Sequence, residues 1–270
     1  MGMKILLTND DGIHAPGICA LHWALTGDGG AGDALGEVFT VAPLSVQSAT
    51  SHGITYHVPL MVEDAEINGV RALAVDGRPA DCTKLALTNL WGEEFGVGKR
   101  PDLVISGMNA GANCGINVIY SGTVAAAIEA AFLGVPAIAV SLHLDGSAAD
   151  YEMGARAARR AVDVVLAGGL PDRHEVLSIN IPATEYLEED TEIVVCPMNT
   201  HALVDQYERR ETPKGRPYFW STAHGLDFHS TDAGTDVHAL FERKITVTPL
   251  SFDLTDHGRL GFWGDRVGRT

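Results

Sequence analysis

Positive charge is scarce in this chain: 19 Lys and Arg stand against 35 Asp and Glu, a net charge of −16. Binders of nucleic-acid duplex or of anionic membrane carry a basic face, so this composition argues against both. A small anionic substrate stays compatible if a bound cation and helix N-termini supply local positive charge. Cysteine is sparse and scattered. Cys19, Cys82, Cys114 and Cys196 form no C-x-x-C and no zinc-ligand spacing, and read as reduced thiols in the core or near a site. Long apolar runs are missing too; none approaches the ~20 residues of a membrane helix. The N-terminus enters a strand pattern at once, without a signal-peptide pattern, so a cytoplasmic protein with no membrane partner is expected. Internal repeats and low-complexity tracts are absent. What is abundant is apolar content, 46% of 270 residues, enough for a full core in one large domain or two small ones.

Apolar runs at 3–7, 38–42, 103–105, 137–141 and 176–181 read as buried strands. Between them, 16–25, 79–90, 124–133 and 149–167 carry helical spacing, with Ile18, Leu21 and Leu25 on one face of the first and Ala155, Ala158 and Val162 on one face of the last. Residues 52–62 and 70–75 alternate weakly and suggest a hairpin. Repeated βα units imply an α/β protein: a mainly parallel sheet with helices on both faces. The core is expected over about 3–196. From about 197 to 255 the character changes. Residues 199–234 are polar and carry Pro217-Tyr218-Phe219-Trp220; 237–241 and 244–248 read as closing strands. So long a stretch without structure is improbable inside a compact domain. It is expected to be a C-terminal extension that packs on a neighbouring subunit, making a homodimer or a tetramer built from dimers.

Two glycine patterns fail as nucleotide fingerprints. Gly27-Asp28-Gly29-Gly30-Ala31-Gly32 follows a helix and precedes a strand, the reverse of what a dinucleotide site needs; it reads as a flexible loop. Gly96 to Lys99 resembles a phosphate loop, but Glu93 stands where the first glycine belongs and Arg100 replaces the Ser or Thr.

The chemistry gathers at strand ends, where parallel sheets bind ligands. Asn9-Asp10-Asp11-Gly12 closes the first strand. Adjacent carboxylates repel unless a cation lies between them; the same residue types also make an ordinary turn. Ser106-Gly107-Met108-Asn109-Ala110-Gly111-Ala112-Asn113-Cys114-Gly115 follows the strand at 103–105, and its Asn side chains offer oxygens to a metal. Ser121-Gly122-Thr123 opens the helix at 124–133, with Ser121 as N-cap and free N–H groups behind it that suit an anion. His14 and His52 lie in or beside these loops, where phosphate contact and plain loop roles both stay open.

Several motifs occur in order: Thr8-Asn9-Asp10-Asp11-Gly12, Ala42-Pro43 with Ser48-Ala49-Thr50, Gly77-x-Pro79-Ala80-Asp81-Cys82, Ser106-Gly107-x-Asn109-x-Gly111-x-Asn113-x-Gly115 and Tyr120-Ser121-Gly122-Thr123-Val124. Ile179-Asn180-Ile181-Pro182, Gly215-Arg216-Pro217-Tyr218-Phe219-Trp220 and Gly234-Thr235-Asp236 follow. The set, spanning about 3–255, resembles the SurE family, stationary-phase survival proteins that act as 5′-nucleotidases. The resemblance implies a Rossmann-like core, one divalent metal ion (Mg²⁺ or Mn²⁺) and hydrolysis of nucleoside 5′-monophosphates. It places the metal on Asp10, Asp11, Ser48 and Asn109, all oxygen donors of the kind a hard cation takes. On that reading Asp10, Asp11 and Asn109 are catalytic, and Asn9, Gly107, Ser121, Gly122 and Thr123 bind substrate phosphate. The chain departs from the family where an acid usually follows Ala-Pro and basic residues precede the serine. Leu44, Val46 and Gln47 stand there, which removes positively charged substrate contacts from that loop. Glu129 is followed by Ala130 instead of glycine. The alternative function is a non-catalytic nucleotide-binding stress-response module of the same fold.

Overall fold

The computed structural model describes residues 2–27, 32–146, 148–222 and 225–268. Asp28 to Ala31 of the glycine tract lie outside the described residues. The first half of the chain runs β1 (Met3–Thr8), α1 (Pro16–Thr26), β2 (Gly36–Pro43), β3 (Val62–Ile67), β4 (Val70–Val75) and α2 (Pro79–Leu85). Helix α2 continues through a wider turn, Ala86–Leu90, into α3 (Trp91–Phe95); β5 (Leu103–Ala110) and α4 (Gly122–Phe132) follow. The second half contains β6 (Ala137–Leu142), α5 (Tyr151–Ala167), β7 (Glu175–Ile181), β8 (Ile193–Val195), β9 (Tyr207–Glu211), β10 (Pro217–Ser221), α6 (Asp236–Phe241), β11 (Ile245–Ser251) and α7 (Leu260–Val267).

Among the described residues, nine strands form one sheet in the order β3-β4-β2-β1-β5-β6-β7-β11-β8. The six from β4 to β7 are parallel; β3 runs antiparallel to β4 and β11 to β7. Both faces are covered, so the central strands are apolar on both sides, as parallel sheets require. In β1, Ile5 and Leu7 pack toward Ile18, Leu21 and Leu25 of α1 and Ala158 and Val162 of α5. Leu6, on the opposite face, packs with Cys82 of α2, Trp91, and Val124 and Ala127 of α4. Fully burying each such large side chain contributes about 1.5–3 kcal/mol. Among the described residues no helix is long and apolar enough to cross a membrane.

Four segments differ from the sequence expectation. The hairpin partner of β4 is β3, at 62–67, and residues 53–61 form no strand. Asn68 and Gly69 both have positive φ, 51° and 80°, the requirement of a two-residue hairpin turn, and this pairs β4 with its immediate neighbour. Residues 106–110 extend β5 instead of starting a loop. Residues 237–241 form helix α6, not a strand; Val237 and Leu240, three apart, bury one helical face against Cys114. A short apolar run does not distinguish the two states by itself. The core also does not stop at 196, because β11 lies inside the sheet between β7 and β8. The extension instead comprises the separate β9–β10 hairpin, exposed throughout, and the exposed helix α7.

An ion cluster around the buried Glu129 ties α4 to its surroundings. Glu129 is 4% exposed; its carboxylate lies 2.8 Å from His52 Nε2 and 3.0 Å from Lys84 Nζ. His52 is therefore engaged with Glu129 of α4 and does not line the cavity described below. Burial pushes the Glu129 pKa up, but the bonds from His52 and Lys84 outweigh it and hold the group below its usual value. A lowered folded pKa means that the unfolded chain binds more protons, so this stability is present above the unfolded value, ~4.3. It is lost as pH falls through the lower folded value. Urea unfolding at stepped pH should show native stability falling in that acid window. The Glu129→Gln protein should show a flatter profile there; parallel profiles would contradict the assignment.

Candidate active site

The chain leaves β1 toward β2 on one side, while β5 occupies the other side of β1. Connections from these neighbours diverge, and a crevice opens at their carboxyl ends, the usual ligand position in such sheets. Asp10 and Asp11 stand at the end of β1, and Asn109 at the end of β5. The loop after β2 is drawn over them because Gln47 N–H donates to the Asp10 carbonyl at 2.7 Å. The Ser51 hydroxyl then donates to the Ile119 carbonyl at 2.8 Å, tying that loop to the entrance of α4. The result is a cavity of about 780 Å³ lined by Asp10, Ser48, Asn109 and Ser121 among others.

Asp10 is the most enclosed of these groups, at 3% exposed. Its carboxylate accepts the Thr123 hydroxyl. Helix α4 approaches so closely at Gly122 that a Cβ there would lie 2.8 Å from the Asp10 Cβ. Burial drives the Asp10 pKa up and the Asp11 charge adds to it, against the lowering bonds from Thr123; the result is about 6. Asp11 points elsewhere. It accepts the Ala110 N–H at 2.7 Å and lines a second cavity with His14, Leu44 and Val46. Burial raises its pKa also, opposed by the Ala110 bond. Ala110 borders both cavities.

Asn9 is fully buried; its amide donates to the Gly12 carbonyl at 2.8 Å, and its Oδ1 meets no donor among the described residues. Gly107 sits within β5, where a Cβ would lie 2.3 Å from the Val140 carbonyl oxygen, so its missing side chain serves strand packing. Ser121 Oγ accepts the Val124 N–H at 3.1 Å, the expected cap. Thr123 and Gly122 face Asp10 rather than the cavity wall.

Sequence reasoning missed the scaffold of the glycine-rich segment. Asn180 of β7 accepts the Asn113 N–H at 2.8 Å, and the Asn113 amide donates to Ser141 Oγ at 2.8 Å. Asp236, 1% exposed, accepts N–H bonds from Gly115 at 2.7 Å and Asn199 at 2.8 Å. An amide in an apolar strand and an acid opening a short apolar run were the available signals, since buried polar groups need partners.

Among the described residues no three His, Cys, Asp or Glu side chains converge as a metal cluster. The donors that share the cavity are instead the Asp10 carboxylate, the Ser48 hydroxyl and the Asn109 amide, with Asp11 facing the neighbouring cavity. This all-oxygen set is of the kind a hard divalent cation takes.

Comparison with known proteins agrees with this architecture. The family model described as survival protein SurE matches residues 5–205. The chain is 44% identical to the 5′-nucleotidase SurE of Rhodopirellula baltica over 94% of both chains. It is 42% identical to the 5′-nucleotidase SurE 1 of Thermus thermophilus, over 96% of this chain and 95% of that one. The crystal structure of the SurE protein from Aquifex aeolicus superposes with a TM-score of 0.79 at 33% identity, covering 98% of this chain and 99% of that one. A nine-stranded sheet with two aspartates at its switch point, matched nearly end to end by these relatives, places this chain in the SurE family.

Proposed function

We propose that this protein is a divalent-cation-dependent phosphomonoesterase that hydrolyses nucleoside 5′-monophosphates to nucleoside and phosphate. The observation that carries the proposal is the buried Asp10 carboxylate sharing one cavity with Ser48 and Asn109 at the switch point of the sheet. The names of the relatives, 5′-nucleotidase SurE, support the same reading. Asp10, Ser48 and Asn109, which share the cavity, would hold the cation, Mg²⁺ or Mn²⁺ by donor chemistry, and Asp11 would join them by turning from the Ala110 N–H and the second cavity. When bound, it supplies charge neutralisation at the phosphoryl oxygens and lowers the pKa of water. The chain's own groups do the rest. Thr123 fixes the Asp10 carboxylate, so the anion is presented without reorganisation. Asn109 donates its amide to the Gly111 carbonyl at 2.6 Å, which orients its oxygen. Ser121 places the N-terminus of α4 at the cavity edge, where N–H dipoles favour phosphate. The β9–β10 hairpin, with Tyr207, Phe219 and Trp220 each more than half exposed, is the contact through which a homodimer or a dimer of dimers would form.

Inorganic phosphate should appear from nucleoside 5′-monophosphates, stop with chelator and return with Mg²⁺ or Mn²⁺. A second ester group removes charge and access, so bis(p-nitrophenyl) phosphate should be a poor substrate; faster cleavage of this diester than of any monoester would overturn the assignment. Asp10→Asn keeps the side-chain shape and should leave the fold intact. Losing the cation's contribution of ~4 kcal/mol means kcat/KM roughly 10³ lower, with partial recovery at high metal. Near-normal turnover under limiting metal would remove Asp10 from the metal site. Light scattering at micromolar protein should show a dimer or tetramer; monomer alone would contradict the role given to the hairpin.

A further inference from the structure

The cavity that begins at Asp10 extends well beyond what a phosphate needs. At about 780 Å³, it has the size of a site that encloses a whole small molecule. Its lining also includes His143 and Asp145 after β6, Phe241 of α6, and Gly225, Leu226 and Asp227 at the root of the β9–β10 hairpin. No Lys or Arg is among the described lining residues, whereas Asp145 and Asp227 are. Further phosphate groups would meet only negative charge there. An uncharged group with an apolar face and hydroxyls is the better match, with Leu226 and Phe241 for the face and the carboxylates for the hydroxyls.

The hairpin root is held against the rest of the cavity by specific contacts. The Asn117 amide donates to the Gly225 carbonyl. Val204 N–H donates to the Asp227 carbonyl at 2.7 Å and His229 N–H to the Ala202 carbonyl at 3.0 Å. The Phe228 ring rests where residue 115 has no side chain; a Cβ on Gly115 would lie 2.7 Å from it. Leu226 and Phe228 also pack on the small cluster of Cys114, Val237 and Leu240. Phe228 does not line the cavity; it fixes the segment that does.

We propose that the hairpin root, residues 225–227, is the nucleoside-recognition wall of this cavity, with Phe228 as its positioning residue. The inference rests on the phosphomonoesterase reading and adds which wall receives the nucleoside. Adenosine 5′-monophosphate and p-nitrophenyl phosphate, which lacks ribose, separate the two ideas. In the full-length Phe228→Ala protein, KM for the nucleotide should rise about ten-fold, equivalent to ~1.4 kcal/mol. Its kcat should stay within about two-fold, as for loss of uniform binding. The kcat/KM for p-nitrophenyl phosphate should stay within the same range. Phe228→Leu, which keeps an apolar plug over Gly115, should recover most of the nucleotide affinity. Equal losses on both esters, an unchanged nucleotide KM, or no recovery with leucine would overturn the proposal. A wild-type protein that releases phosphate from p-nitrophenyl phosphate but from no nucleotide would overturn it while sparing the monoesterase chemistry. No release from any monoester would overturn both.

Discussion

The burial of the Asp10 carboxylate at the end of a parallel strand is the constraint on which the rest of the site depends. A carboxylate this enclosed resists ionisation, and the neighbouring Asp11 adds repulsion; together they bring its pKa to about 6. The fold opposes this with a few well-placed donors. Thr123 gives its hydroxyl, and the glycine at 122 lets the start of α4 come near enough to do so. A divalent cation is the component that would complete the balance.

That constraint explains why elements distant in sequence are locked together. The loop carrying Ser48 is held by the Asp10 carbonyl, and the same loop is tied to the chain just before α4. The glycine-rich segment from the end of β5 onward is held at three points, by Asp11 at Ala110, Asn180 at Asn113 and Asp236 at Gly115. Each of these clamps is a charged or amide side chain receiving a backbone N–H. Such bonds position without needing further side chains, and they leave the cavity walls free for ligand. The cost is a cluster of buried polar groups that must all be satisfied, because each loses its hydration when enclosed.

Much of this was legible in the sequence, for identifiable reasons. Strands buried on both faces read as apolar runs, so β1, β2, β5, β6 and β7 stood out. Helices α1 and α5 showed through spacing, and Ser121 announced the cap of α4. The positions of Asp10 after β1, Ser48 in the loop after β2 and Asn109 near the end of β5 were readable from strand ends and ordered motifs. The illegible parts depend on long-range pairing. Nothing local tells that Asn113 meets Asn180, or that Asp236 meets Gly115 across 121 residues of chain. The apolar run at 237–241 was too short to separate strand from helix, and its state is decided by packing on Cys114. The hairpin turn at Asn68-Gly69 was a local signal that the weak alternation upstream obscured. The divergence of Asp10 and Asp11 into separate cavities is set in the bend after β1 and needed the three-dimensional arrangement.

Manganese titration followed by electron paramagnetic resonance tests the central claim most directly. The spectrum of free Mn²⁺ disappears on binding, so stoichiometry is read without any turnover. The account predicts one tight Mn²⁺ per chain in the wild-type protein, weakened markedly in both Ser48→Ala and Asn109→Ala while the protein stays folded. No tight Mn²⁺ in the wild-type protein, or one whose affinity neither substitution changes, would contradict it.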